Sequence, residues 1–188
     1  MTLRRLNTFA PQKALASGLP ALLAAVALSA CVESAGDVAL VPGVEGQQFV
    51  RRDDASMAGA TVAIVSVDGA PAELAERFRQ SLDHAVAQRQ IAVAPPPSAR
   101  YLIRGYLSAS PARDGAQIDV VWDVFTPDKR RAQRLTDAIL VQGAGDDAWG
   151  LMSDAALDSV AARSADDLAA YLSNTPEAAP GAALSYAK

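Results

Sequence analysis

The chain has 188 residues, a formal net charge of −4 and one cysteine. This acidic balance disfavours nucleic acid as a partner, because nucleic-acid phosphates select basic surfaces. With a single cysteine the chain has no internal disulfide, and it has no cysteine pair for a metal or redox site. Hydrophobic residues make up 51% of the sequence but aromatic residues only 5%, so much of the apolar content is alanine rather than large core side chains.

Residues 1–30 have the order of a secretory signal. Residues 1–13 carry basic side chains and no acidic one, and the run from Ala14 to Leu28 is mostly Ala, Leu and Val. A helix needs ~20 apolar residues to span a bilayer; this run is shorter, and Pro20 interrupts it. We therefore predict a cleaved signal peptide over residues 1–30 rather than a retained transmembrane span.

The only cysteine follows this apolar run directly. The small residues that end at Ala30 would also suit an ordinary signal peptidase. However, Leu28-Ser29-Ala30-Cys31 resembles the lipobox of bacterial lipoproteins. That resemblance implies cleavage between Ala30 and Cys31, with a diacylglyceryl group on the thiol and an acyl chain on the new amino group. Val32, in place of the aspartate that often retains lipoproteins at the inner membrane, resembles the outer-membrane default.

Removal of residues 1–30 would leave 14 basic and 21 acidic residues, a formal net charge of −7. Frequent Gly and Pro and the lack of periodicity predict a flexible tether over 31–58, which begins at the lipidated cysteine. The Pro, Ala, Gly and Ser composition of 174–188 predicts a disordered tail. A single periplasmic α+β domain is predicted between them, over 59–173.

The first half of this domain predicts a strand, a helix and a second strand. Residues 61–67 form a nearly continuous β-branched run, which is typical of a buried strand. Pro71 suits a helix start, and apolar residues at helical spacing extend the helix to Gln90. A short strand over 91–94 should then be parallel to the first, because such a crossover is right-handed and returns to the same sheet.

The second half predicts a hairpin of strands over 101–108 and 117–125, whose loop contains the turn pair Asp114-Gly115. A last strand over 133–141 and a long amphipathic helix over 146–173 follow. Each helix has one apolar face, so both should cover the same side of the sheet. The sequence therefore predicts an α+β fold, a two-layer sandwich with a mixed sheet of about five strands (β-α-β-β-β-β-α) and two helices on one face.

Side chains of the strand over 117–125 should alternate between the two faces of the sheet. The inward set is apolar and would face the helices: Ile118, Val120, Trp122 and Val124. The outward set would lie beside two residues of the preceding strand: Asp119, Val121, Asp123 and Phe125, with Arg104 and Tyr106. Because aromatic and arginine side chains often anchor interfaces, Arg104, Tyr106 and Phe125 are candidate partner-binding residues. Scattered surface aromatics without a partner are also common.

One basic cluster stands where a turn enters the last strand: Lys129, Arg130, Arg131 and Arg134. Arginine side chains match phosphate oxygens, so this cluster is a candidate site for anionic lipid or glycan phosphate. A solvated turn near several acids is the alternative.

No residues of the sequence assemble a recognisable catalytic or metal site. His84 is the only histidine, on the predicted solvent side of the first helix. Residues 143–148 formally match a dinucleotide-binding fingerprint, but Asp146 and Asp147 would put carboxylates where a pyrophosphate must sit. We therefore expect no enzymatic activity, no metal and no cofactor other than the lipid on Cys31.

The layout of the domain resembles several envelope proteins. The lipobox cysteine, a linker, a first strand "VAIVSVDG", a strand "YLIRGYLSA", a meander and a helix follow in order. This order is similar to lipoprotein activators of penicillin-binding proteins, curli-secretion lipoproteins and the amino-terminal domain of the Tol–Pal β-propeller protein. The resemblance implies a lipid-anchored outer-membrane protein whose domain faces the periplasm and binds another envelope protein. It indicates neither the identity of that partner nor the oligomeric state.

Overall fold

The computed structural model describes residues 38–40 and 49–180. Strands and helices follow in this order: β1 (Val38–Leu40), β2 (Ala55–Ser56), β3 (Val62–Asp68), α1 (Ala72–Gln88), β4 (Tyr101–Ala112), β5 (Gly115–Phe125), β6 (Arg131–Gln142), α2 (Asp154–Leu172) and β7 (Ala179–Pro180). Short 3-10 helices, Met57–Gly59 and Trp149–Leu151, precede β3 and α2. The predicted signal peptide of residues 1–30 and the predicted cleavage and lipidation site at Ala30 and Cys31 lie outside the described residues.

Five strands form one mixed sheet in the order β1-β6-β5-β4-β3. β3 is parallel to β4, and the other neighbours are antiparallel. The two helices and the inward side chains of the sheet share one hydrophobic core. The predicted α+β architecture, a mixed sheet with two helices, is confirmed.

One predicted strand is wrong. Residues 91–94 make only a single parallel bridge to β3, in which the Val62 N–H donates to the Ala92 carbonyl and the Ala94 N–H donates to the Val62 carbonyl. Pairing stops there because residues 95–97 are prolines, which have no N–H to donate. The fifth strand of the sheet is instead β1, which comes from the predicted tether.

The fold also extends past both predicted domain boundaries. In the expected tether, β1 pairs with β6, and the Phe49 ring lies edge-on against Tyr171 with centroids 5.3 Å apart. In the expected tail, β7 pairs with β2, and Glu177 accepts hydrogen bonds from Tyr101 and Arg100. These contacts join residues far apart in the sequence, so local composition could not indicate them. Residues 181–188 of the expected tail lie outside the described part of the chain.

The two helices run parallel to each other, joined by polar pairs with a constant offset of 77 residues. Arg77 pairs with Asp154, Ser81 donates to Asp158 at 2.6 Å, and the pair Arg89 and Asp166 is bidentate, at 2.8 and 2.9 Å. Within the described residues, no helix is both long and apolar enough to cross a bilayer.

Trp122 of β5 is the largest fully buried side chain and lies between the sheet and the helices. Its indole stacks on Phe78 of α1, with centroids 6.3 Å apart. Gly105 of β4 is its cross-strand partner, and a Cβ at Gly105 would lie only 2.4 Å from Trp122 Cζ3. The absence of a side chain at residue 105 therefore makes the space that the indole fills.

Gly105→Ala tests this packing. We expect it to lower the free energy of unfolding by about 2 kcal/mol, because the added methyl group overpacks a rigid site. Urea unfolding followed by tryptophan fluorescence measures the change. Gly145→Ala is the matched control, since its Cβ would meet Leu151 at an ordinary 3.6 Å. Equal stability of the two variants would contradict the role of Gly105.

A partly buried carboxylate lies where α2 meets β6. Arg163 Nε donates to Asp137 at 2.9 Å and lies 3.6 Å from Asp167. Burial raises the pKa of Asp167 to about 6, although Arg163 opposes the shift. Between the ordinary aspartate pKa of about 4 and this value, the folded state binds more protons than the unfolded state, so this group lowers stability as pH rises.

Asp167→Asn should therefore leave stability near pH 4 almost unchanged and raise it by about 1 kcal/mol above pH 6. The measurement is the free energy of unfolding across this pH range for the variant and the wild type. Asp83→Asn, at an exposed position of α1, removes the same charge and serves as the control. A difference between variant and wild type that is constant with pH would contradict the prediction.

Candidate functional site: the uncovered face of the sheet

The side of the sheet opposite the helices carries the candidate partner-binding residues. The predicted alternation of β5 is confirmed, since the inward set is at most 2% exposed: Ile118, Val120, Trp122 and Val124. Register pairs Leu102 with Phe125, Arg104 with Asp123, and Tyr106 with Val121. Arg104 and Tyr106 are exposed, whereas Phe125 is half-buried. The structure thus brings the three candidates together on adjacent strands.

Arg104 lies against an aromatic ring. Its guanidinium carbon is 5.8 Å from the centroid of Phe125, which is cation–π distance. Among the described residues, no carboxylate lies within 4.0 Å of Arg104. Tyr106, two residues along the same strand, is 38% exposed. This arrangement presents a cation and two aromatic rings on one rigid surface.

Beside them, Asp123 is only 4% exposed and is held by the next strand. Arg134 binds both of its oxygens, with Nε at 2.7 Å and Nη2 at 2.6 Å, and Arg131 lies 3.8 Å away. The hydrogen bonds from Arg134 lower the pKa of Asp123 despite its burial, and the same bonds raise the pKa of Arg134. Asp123 is therefore ionised at neutral pH. It already pairs with Arg131 and Arg134, two of the cations predicted to bind anions.

A third predicted cation is also paired, inside the turn between β5 and β6. Arg130 Nε lies 3.0 Å from Asp128, and the Thr126 N–H donates to the Arg130 carbonyl to close the turn. The hydrogen bond from the Thr126 hydroxyl is the main cause of the lowered pKa of Asp128. Of the four predicted cations, only Lys129 has no carboxylate within 4.0 Å in the described part of the chain.

Sequence reasoning missed a polar cluster at the start of β4. Tyr101 donates to Glu177, and Arg100 Nε donates to the same carboxylate at 2.6 Å. Burial and this carboxylate raise the pKa of Tyr101, while the hydrogen bond from Tyr101 lowers the pKa of Glu177. Because Glu177 falls in a stretch without periodicity, no sequence signal pointed to the cluster. It holds the segment that follows α2 against the sheet.

Within residues 38–40 and 49–180, no three His, Cys, Asp or Glu side chains gather so as to hold a metal ion. His84 is exposed on α1, with its Nε2 at 2.8 Å from the Gln88 amide nitrogen. The uncovered face offers aromatic rings, the Arg104 guanidinium and hydrogen-bonding groups.

Asp123→Asn tests whether the buried carboxylate holds this surface together. We expect a loss of about 2 kcal/mol in the free energy of unfolding at neutral pH, because the variant gives up two charge-assisted hydrogen bonds. The pKa of Asp123 is lower in the folded state than in the unfolded state. The difference in the free energy of unfolding between variant and wild type should therefore be largest above pH 5 and should decrease as pH falls below about 4.

Chemical denaturation at several pH values measures the free energy of unfolding of Asp123→Asn and of wild type. Asp128→Asn, at an exposed position, is the control. A larger effect at Asp128 than at Asp123 would contradict the assignment.

No protein-family model matches the chain, and no curated protein matches it. Among solved structures, the chain is similar to PelC from Paraburkholderia phytofirmans, which forms a dodecamer, at 12% identity over 70% of this chain and 98% of that one. The TM-scores are 0.43 for a single-substitution variant and 0.42 for a second crystal form. A minor lipoprotein from Acinetobacter baumannii is similar at 12% identity over 60% of this chain and 94% of that one, with a TM-score of 0.38. Likenesses at this level carry no argument about the role of the chain.

Proposed function

We propose that the protein is a lipid-anchored outer-membrane lipoprotein whose periplasmic domain is a non-catalytic module that binds another envelope protein. The observation that carries the binding role is the uncovered sheet face, where the Arg104 guanidinium lies 5.8 Å from the Phe125 ring centroid beside exposed Tyr106. Arginine and tyrosine are enriched among the residues that dominate binding energy at protein interfaces. The anchor rests on the sequence Leu28-Ser29-Ala30-Cys31.

The surface is already ordered before any partner binds. β4 and β5 pair continuously from Leu102 to Ala112, and the two hydrogen bonds of Asp123 join β5 to β6. Partner binding therefore loses little conformational entropy in this part of the chain, which favours affinity.

The partner should offer a carboxylate to this face. The Arg104 guanidinium lies 5.8 Å from the centroid of the Phe125 ring, and none of the N–H donors of Arg104 has a side-chain acceptor within the described residues. A carboxylate would accept two parallel hydrogen bonds from the guanidinium, which is the strongest pairing available to arginine. Tyr106 would add apolar area and a hydroxyl next to that contact.

Binding of lipid or glycan phosphate by the basic turn has less support. Arg131 and Arg134 face Asp123, and Arg130 faces Asp128, so a phosphate would compete with carboxylates already in place. Lys129 and Arg130 are the cations to test for this alternative, because reversing Arg134 would also break the buried pair with Asp123.

The proposal is tested by photo-crosslinking in intact cells. A photoreactive amino acid at Tyr106, in the full-length lipidated protein, should give a discrete adduct with one envelope protein, and the same probe at exposed Asp83 on the helix layer should not. Adding Arg104→Glu should reduce the adduct at least several-fold, because a carboxylate partner would then be repelled. Lys129→Glu with Arg130→Glu should leave it unchanged.

Protein abundance and the melting temperature of each variant serve as controls for folding. Equal crosslinking from Tyr106 and Asp83 would contradict a binding role for this face. An adduct that is lost only when Lys129 and Arg130 are reversed would favour the basic turn instead.

A further inference from the structure

The edge strand β1 determines where the anchored chain reaches the domain. β1 is antiparallel to β6, and Val38 pairs with Val141 while Leu40 pairs with Ile139. The chain therefore arrives at the end of the sheet where β6 finishes. The β4–β5 hairpin turns at this same end, because Gly115 pairs with Gln142. The turn between β5 and β6, with Lys129, lies at the opposite end.

The distance from the anchor to this point is short. Seven peptide steps separate Cys31 from Val38, and seven extended residues span at most about 25 Å. The sheet is longer than that. From Val141 back to Arg131 along β6 there are ten steps, which at ~3.4 Å per residue cover about 34 Å.

We infer that the domain is held with the hairpin end toward the membrane that anchors Cys31 and with the basic turn directed away from it. While β1 is paired, the inverted end-on arrangement is excluded, because it would place Val38 farther above the bilayer than the linker can span. The inference rests on the proposed lipidation of Cys31 and deepens the proposed function. It also places the Arg104–Phe125 contact, which lies near the basic turn, away from the protein's own membrane, where that contact can meet a partner.

Electrostatics alone would predict the opposite orientation. Among the described residues, Arg113, Asp114 and Asp146 line an open groove of about 580 Å³ at the hairpin end, and Asp147 follows in the sequence. Carboxylates therefore outnumber cations at this end. An anionic membrane repels such a surface and attracts the basic turn. These forces are screened over about 8 Å at physiological salt, whereas the two ends of the sheet are separated by several times that length. The covalent linker therefore decides the orientation.

The absence of a second cysteine makes a direct test possible. Ala144 and Ala132 are both exposed, and they lie at the hairpin end and the basic-turn end respectively. Ala144→Cys and Ala132→Cys are matched substitutions, each of which takes one fluorophore in the full-length lipidated protein. The labelled proteins are reconstituted into phosphatidylethanolamine–phosphatidylglycerol vesicles that contain a lipid with a quencher on its headgroup.

We expect the label at residue 144 to be quenched at least three-fold more than the label at residue 132. Insertion of twelve Gly and Ser residues between Cys31 and Val38 should remove that difference. Ala39→Pro combined with Leu40→Pro should also remove it. Successive N–H groups of an edge strand alternate between the neighbouring strand and solvent, so one of these two prolines removes a donor to β6 and frees a longer linker.

Equal quenching at both positions in vesicle-bound wild type, or stronger quenching at residue 132, would overturn the orientation and leave the anchor intact. Flotation with the vesicles tests the anchor separately, with Cys31→Ser as the control that should not float. If the wild-type protein also fails to float, the lipid anchor is wrong and the orientation falls with it.

Discussion

The packing of Trp122 against Gly105 fixes the geometry on which the other features depend. The indole fills the space above the glycine and stacks on Phe78, which joins the sheet to α1. The indole N–H is buried, and no described residue accepts a hydrogen bond from it, so apolar contact is what holds the ring in place. A slip of the β4–β5 register would place a side chain where only glycine fits, so this contact excludes the alternative registers.

The same contact determines what the outer face displays. Side chains on a strand alternate, so with Trp122 inward its neighbours Val121 and Asp123 must point outward. The register then sets Arg104 beside Asp123 and Phe125, while Arg134 approaches from β6. Asp123 binds Arg134 rather than Arg104, whose guanidinium lies 5.8 Å from the Phe125 ring centroid. Because Asp123 pairs with Arg134, these two residues form a structural ion pair and the Arg104 guanidinium remains available for a partner.

The ends of the described chain are held by contacts that local patterns do not encode. β1 is three residues long and β7 only two, and each gains its stability from a partner strand rather than from its own sequence. Glu177 joins the segment before β7 to Tyr101. A composition of Gly, Pro and Ala predicts disorder when the segment is considered alone, because the stabilising atoms belong to residues more than a hundred positions away or on another strand.

Local periodicity in the sequence determined both helices, β3, the hairpin and the inward set around Trp122, since each of these is set by burial of one face of a continuous segment. The sequence also carries Leu28-Ser29-Ala30-Cys31, a short linear pattern that resembles a lipobox. Tertiary structure alone decided that residues 91–94 stop at one bridge, that β1 completes the sheet, and that Asp123 and Asp128 pair with the basic cluster. The physical reason is that strand pairing and ion pairing depend on which segments meet in space, and charge spacing along the chain does not specify those meetings.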